Sequence, residues 1–141
     1  MLPLRYARRW RVAGVTLLAL VLAVTVMPAV WLWPGQVRLV SWLENLDKWA
    51  HVITFSLLAL WFAGQYRPRS YWRIALGLLA FGALIEVCQR AVGYRTAELL
   101  DFGADTIGIV IGLVIAMAGA GGWCQVFEDW YIGRRSGAGI D

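Results

Sequence analysis

The sequence predicts an all-α integral membrane protein, a bundle of four transmembrane helices folded as a single domain. Three observations lead there. Four apolar runs, 12–33, 49–65, 72–92 and 102–120, each approach the length an α-helix needs to cross the hydrocarbon core, roughly 20 residues. At 60% hydrophobic and 16% charged, with a mean hydropathy of +0.63, the chain is too apolar for a soluble domain. Arginines and tryptophans, finally, gather at the ends of the runs rather than within them. The runs take up most of the 141 residues, which leaves no length for a second folded domain. The net charge of +4 flanks membrane spans and forms no stripe, so nucleic acid is not an expected partner.

Run one follows a basic arm and contains Pro28, where a kink or an early end is expected because proline lacks the backbone donor. It reads as a retained first helix, since it is long, lacks a small-residue cleavage site before Pro28 and is followed by further spans. The Arg8-Arg9 pair then reads as a cytoplasmic anchor. Pro34-Gly35 breaks the helix. From Val37 to Leu46, the apolar Val37, Val40, Leu43 and Leu46 recur every third residue, with Arg38, Ser41, Glu44 and Asn45 between them. That pattern suits a short amphipathic helix on the outer membrane surface, leading into helix two. Helix two ends at the basic turn Tyr66-Arg67-Pro68-Arg69, and helix three runs from about Trp72 to Val92 before Gly93. Thr96 suits the N-cap of helix four, and Glu98 its first turn. Gly108 and Gly112 form a G-x-x-x-G pair, read first as packing within the chain and second as a homo-oligomer contact. The tail from Arg134 is small and polar and is expected to fray.

Orientation follows from the charges. Arg5, Arg8, Arg9, Arg11, Arg67, Arg69, Arg73, Arg134 and Arg135 fall on one side, and Arg38, Lys48, Arg90 and Arg95 on the other. The richer side is expected to be cytoplasmic, with both termini, in a bacterial inner membrane. Trp10, Trp72 and Trp123 mark the inner edge and Trp31, Trp33, Trp42 and Trp49 the outer one, while Trp61 reads as lying well within a span. Cys88 and Cys124 fall toward opposite faces, so no disulfide joins them.

The outer ends of three helices carry polar stripes. Asp47, Lys48 and His51 share a face of helix two, and Glu86, Gln89 and Arg90 one of helix three. Glu98, Asp101 and Asp105 do the same in helix four. Glu86 precedes Val92 by six residues, which puts it roughly 9 Å inside the span. A carboxylate at that depth must be protonated, paired or wetted, and Arg90, one turn outward, is its nearest partner within the helix. Asp105 is comparably embedded, and neighbouring carboxylates can hold a proton between them. Each residue also has a plainer role. His51 reads equally as a hydrogen-bonded packing residue or as a base or ligand. Lys48 can snorkel, Glu98 can be a solvated first-turn acid, and Gln89 can link helices. A salt network with Arg90 and Arg95 is the structural alternative for Glu86, Asp101 and Asp105. With one histidine and no useful cysteine pair, a divalent ion ranks below that network, and no metal or cofactor is expected. Ser41 and Ser56 lack a nucleophile motif.

The ordered set Asp47-Lys48-x-x-His51 with Phe55, Glu86-x-x-Gln89, then Arg95 and Asp101-x-x-x-Asp105-x-x-Gly108 resembles the VanZ-like family of small bacterial membrane proteins, over about 42–116. The resemblance implies a helical bundle with these residues toward the outer face and an association with low-level teicoplanin-type resistance. It brings no reaction with it. Val52 stands where an aromatic is common, and Asp105 where asparagine is more usual.

Two functions follow as expectations. The first is an envelope protein that binds a membrane lipid or a lipid-linked wall molecule in an outward-facing polar pocket. That pocket would draw on Asp47, Lys48, His51, Glu86, Gln89, Arg90, Arg95, Asp101 and Asp105. The second is an intramembrane enzyme with His51 or Glu86 as general base and Asp101 among the positioning acids. A transporter ranks third, because four spans without an inverted repeat make alternating access difficult.

Overall fold

A computed structural model describes residues 1–27, 40–92 and 99–137. Among these residues five α-helices follow one another: α1 (Ala7–Val26), α2 (Val40–Ala63), α3 (Tyr71–Val92), α4 (Leu99–Ile115) and α5 (Trp123–Gly137). A 3-10 turn, Pro68–Ser70, precedes α3, and a widened π turn, Ala116–Ala120, follows α4. The described residues contain no strand. Three stretches are long and apolar enough to cross a membrane, Ala7–Val26, Pro68–Ala91 and Leu100–Ala120, and Lys48–Ala63 within α2 is a shorter apolar helix.

Local chemistry sets the boundaries. α1 starts at Ala7 and stops at Val26, an early end of the kind expected from Pro28. Met27 leaves the helical region (ψ 131°) because the ring of Pro28 crowds a helical residue before it. The described part of the expected surface helix, 40–46, is the first part of α2 rather than a separate element; residues 37–39, like Thr96 and Glu98, lie outside the described residues. No glycine or proline interrupts Val40–Ala63, so helical hydrogen bonding propagates through it. After α4 the chain reverses at Gly119 (φ 128°) and Gly122 (φ 73°), conformations that favour glycine. α5 then covers Trp123–Gly137, and its last residues lie in the tail that was expected to fray from residue 134.

The packing is inside-out relative to a soluble protein. Ile53, Leu57, Leu84, Val87, Ile107 and Val110 point outward, while His51, Glu86, Gln89, Asp101 and Asp105 are buried. An apolar perimeter over a partly polar interior is stable only when the surroundings are lipid. α2 and α4 lie backbone to backbone: a Cβ on Gly108 would strike the Val52 carbonyl, and one on Gly112 the Ser56 carbonyl. Ser56 Oγ pins the contact by donating to Val52 O at 2.7 Å and Gly108 O at 3.0 Å, a structural duty.

Successive helices run up and down, giving the bundle a polar end and an aromatic end. At the aromatic end Trp10, Trp61 and Trp123 meet edge to face, with ring centroids 5.4–5.6 Å apart. Trp61 therefore belongs to the aromatic end rather than well within a span, since α2 ends two residues later at Ala63. The N-terminal arm is clamped there. Buried Glu128 of α5 accepts Arg5 N–H at 2.7 Å, Tyr6 N–H at 3.0 Å and Trp10 Nε1–H at 2.8 Å, while Leu2 N–H donates to Gln65 O at 2.9 Å. Burial works to raise the Glu128 carboxyl, but the Tyr6 and Arg5 amides, the Trp10 indole and the Arg5 charge hold it below the ordinary carboxylate value. The clamp is thus complete at neutral pH and is lost as pH falls from the ordinary value of 4.5 through the lower native one. Glu128→Ala should cost about 1–3 kcal/mol in thermal unfolding at pH 7 and much less near pH 3. An equal cost at both pH values would show that the carboxylate charge is not what holds the arm. Both cysteines are free, and burial pushes the Cys124 thiol up to about 12, so it stays unreactive.

Candidate functional site

The polar end is assembled by α2, α3 and α4, with the end of α1 against it. His51 lies on the inward face of α2 one turn before Phe55, and their rings stack in near-parallel planes (6°). Its Nδ1 lies 2.7 Å from Asp105 Oδ1. When Asp105 is ionised it can only accept, so Nδ1 then carries the proton and Nε2 is the nitrogen left for a base or acceptor role.

Helix α3 approaches this pair through Gly82, where a Cβ would come within 2.5 Å of Asp105 Oδ2. Glu86 and Gln89 continue the same face over the next turns. Glu86 is 8% exposed, and neither of its oxygens has a hydrogen-bond partner among the described residues. Gln89 is fully buried; its Nε2–H donates to Thr25 O at 3.0 Å, which ties the polar end to the last turn of α1. Asp101, 3% exposed, sits one turn above Asp105 in the first turn of α4. His51, Glu86, Asp101 and Asp105 are close enough to interact electrostatically across the three helices.

Five of the sequence-derived candidates therefore share one interior: His51, Glu86, Gln89, Asp101 and Asp105. Arg90 does not join them. Its charge acts on Glu86, but its side chain is exposed and leaves the Glu86 oxygens without a hydrogen bond, because a guanidinium on the last turn of α3 reaches outward to a polar environment. Lys48 is half-buried one turn before His51. Asp47 lies in α2, but its side chain, like the whole of Arg95, falls outside the described residues. Among the described residues no group of three or more His, Cys, Asp or Glu is placed to hold a metal ion. Open cavities of about 540 and 470 Å³ occur at the aromatic end, around Gly119 and Gly121, and contain none of the candidate residues.

Sequence reasoning missed two contributors. Gly82 stands four residues before Glu86 on the same face, and that register was a legible signal. Thr25 contributes a backbone carbonyl, for which side-chain patterns give no sign. Chemically, the interior combines an oriented imidazole with three carboxyl groups and one amide, enough to hold a polar group or to move a proton.

A family model described as VanZ/LLP1 matches residues 9–120. No curated protein and no solved structure matches the chain. The matched stretch begins in α1 and ends with the π turn, so it takes in every side chain of the buried polar interior. Its breadth, most of the chain and well beyond the 42–116 that the motifs alone suggested, makes this protein a membrane protein of the VanZ-like family.

Proposed function

We propose that the protein is an inner-membrane binding protein that holds the polar head of a lipid or lipid-linked envelope molecule at its polar end. One observation carries this reading: His51, Glu86, Gln89, Asp101 and Asp105 converge from three helices into one buried interior. Burying three acids inside an apolar perimeter is costly, and a bilayer protein that needed only packing would place leucines there. In this reading α2 is the fourth span, both termini are cytoplasmic and the polar end opens toward the outer leaflet. The charge asymmetry supports that orientation, with nine basic residues on one side and four on the other. Lys48, Arg90 and Arg95 would meet the anionic part of the ligand. A role in the envelope, including glycopeptide resistance of the teicoplanin type, follows if that ligand is a wall precursor.

The test is mass spectrometry of the detergent-purified protein. A specific lipid or glycan should co-purify with wild type and be lost from Asp101→Asn and Glu86→Gln variants that still fold. The same bound species in all three would sink the proposal.

The His51–Asp105 contact favours a second reading, an enzyme acting on an envelope lipid. A carboxylate bonded to Nδ1 is the usual way to orient an imidazole base. In that case His51→Ala or Glu86→Gln should abolish turnover while ligand still co-purifies.

A further inference from the structure

Four buried oxygens at the polar end have no hydrogen-bond partner among the described residues: both of Glu86, Oε1 of Gln89 and Oδ2 of Asp105. They are not scattered. Gly82, Glu86 and Gln89 occupy successive turns of one face of α3, and Asp105 Oδ2 abuts that face at Gly82. All four are acceptors when the carboxyls are ionised. The two donors that bond inside this interior are already committed, His51 Nδ1 to Asp105 Oδ1 and Gln89 Nε2 to Thr25 O. Among the described residues these four oxygens therefore lack N–H or O–H donors, in an interior that holds three carboxyl groups.

We infer that the polar end receives a primary ammonium group, which donates to Glu86, Gln89 and Asp105. This inference rests on the headgroup-binding reading and names the ligand's chemistry. An ammonium brings three donors on one compact cation, which suits acceptors without partners that lie among carboxyl groups. A phosphate brings neither and would be repelled by the acids. A sugar hydroxyl brings donors without charge. A quaternary ammonium brings charge without donors and needs open aromatic faces, whereas Phe55 is 1% exposed and stacked on His51. The ammonium can belong to an aminophospholipid headgroup or to a free amine, and the experiment separates these sources.

Full-length protein in phosphatidylglycerol nanodiscs is titrated with short-chain phosphatidylethanolamine, its mono- and dimethylated forms, phosphatidylcholine, and soluble ethylammonium chloride, with thermal stability as the readout. The apparent affinity should fall stepwise with methylation, by about tenfold or more between phosphatidylethanolamine and phosphatidylcholine. The methylation series needs no variant, so it stands even if a substitution prevents folding. Glu86→Gln, where it folds, should flatten the series. Ethylammonium competing with phosphatidylethanolamine would identify the amine alone as sufficient, whereas lipid-only binding would identify the whole headgroup; both support the inference. Equal binding of phosphatidylethanolamine and phosphatidylcholine, lost in Glu86→Gln, overturns the ammonium assignment and leaves headgroup binding intact. No stabilisation by any probe overturns it as well, as expected if the carboxyls simply hold protons. A lipid or glycan still lost from the Asp101→Asn and Glu86→Gln variants would then keep headgroup binding standing.

Discussion

Gly112→Val should unfold the protein at a markedly lower temperature, losing about 3 kcal/mol or more. Even a single Cβ at this position would run into the Ser56 carbonyl and crowd Ala59 Cβ, at 2.8 Å. The struck atom belongs to the backbone of α2, which cannot rotate away as a side chain would. Relief requires α2 and α4 to separate, and the bond from Ser56 Oγ to Gly108 O would be lost with them. Overpacking alone costs about 1–3 kcal/mol, and losing the close approach adds to it. Gly103 lies on the same helix, and a Cβ there would meet nothing within 4 Å, so Gly103→Ala is the control. That change should be neutral or stabilise by up to about 1 kcal/mol through helix propensity. Thermal unfolding in detergent micelles distinguishes the two. A Gly112→Val protein as stable as wild type would mean that the α2–α4 contact does not hold the bundle together.

Asp105→Ala should be the most damaging single change at the polar end, at about 3–5 kcal/mol, because it strips His51 of its partner while leaving the ring buried. Asp105→Asn should cost much less, about 1 kcal/mol, since an amide oxygen can still accept from Nδ1 at 2.7 Å. The family resemblance points the same way, asparagine being more usual at this position. Unfolding measurements give the stabilities, and the His51 ring resonances in NMR report whether its orientation survives in Asn and is lost in Ala. Matching losses for Ala and Asn would mean that the charge, and not the hydrogen bond, keeps His51 in place.

Several features were legible because they depend on local chemistry. The ends of α3 follow from the basic proline turn before it and Gly93 beyond it, and the early end of α1 from Pro28. The polar stripes follow from helical spacing alone, which is why His51, Glu86, Gln89, Asp101 and Asp105 all stand out as candidates in the bare chain. The misses share a different cause. Arg90 shares Glu86's face by spacing, yet spacing does not say whether a long side chain turns inward or out. Trp61 was misplaced because the end of α2 was set too late. α5 was missed because Trp123 read as an interface edge, and Glu128, the acceptor that locks the N-terminal arm, bonds to residues more than a hundred positions away.

By itself, then, the sequence determined the solvent, the helices and the polar faces. Those are properties of composition and of a 3.6-residue period, and each is complete within a single segment. Only the tertiary structure decided that three polar faces meet, that Gly82, Gly108 and Gly112 let backbones close around them, and that Asp105 takes His51 while Glu86 is left unpaired. Pairing of that kind depends on how helices are rotated and how closely they approach, and no periodicity within one helix encodes either.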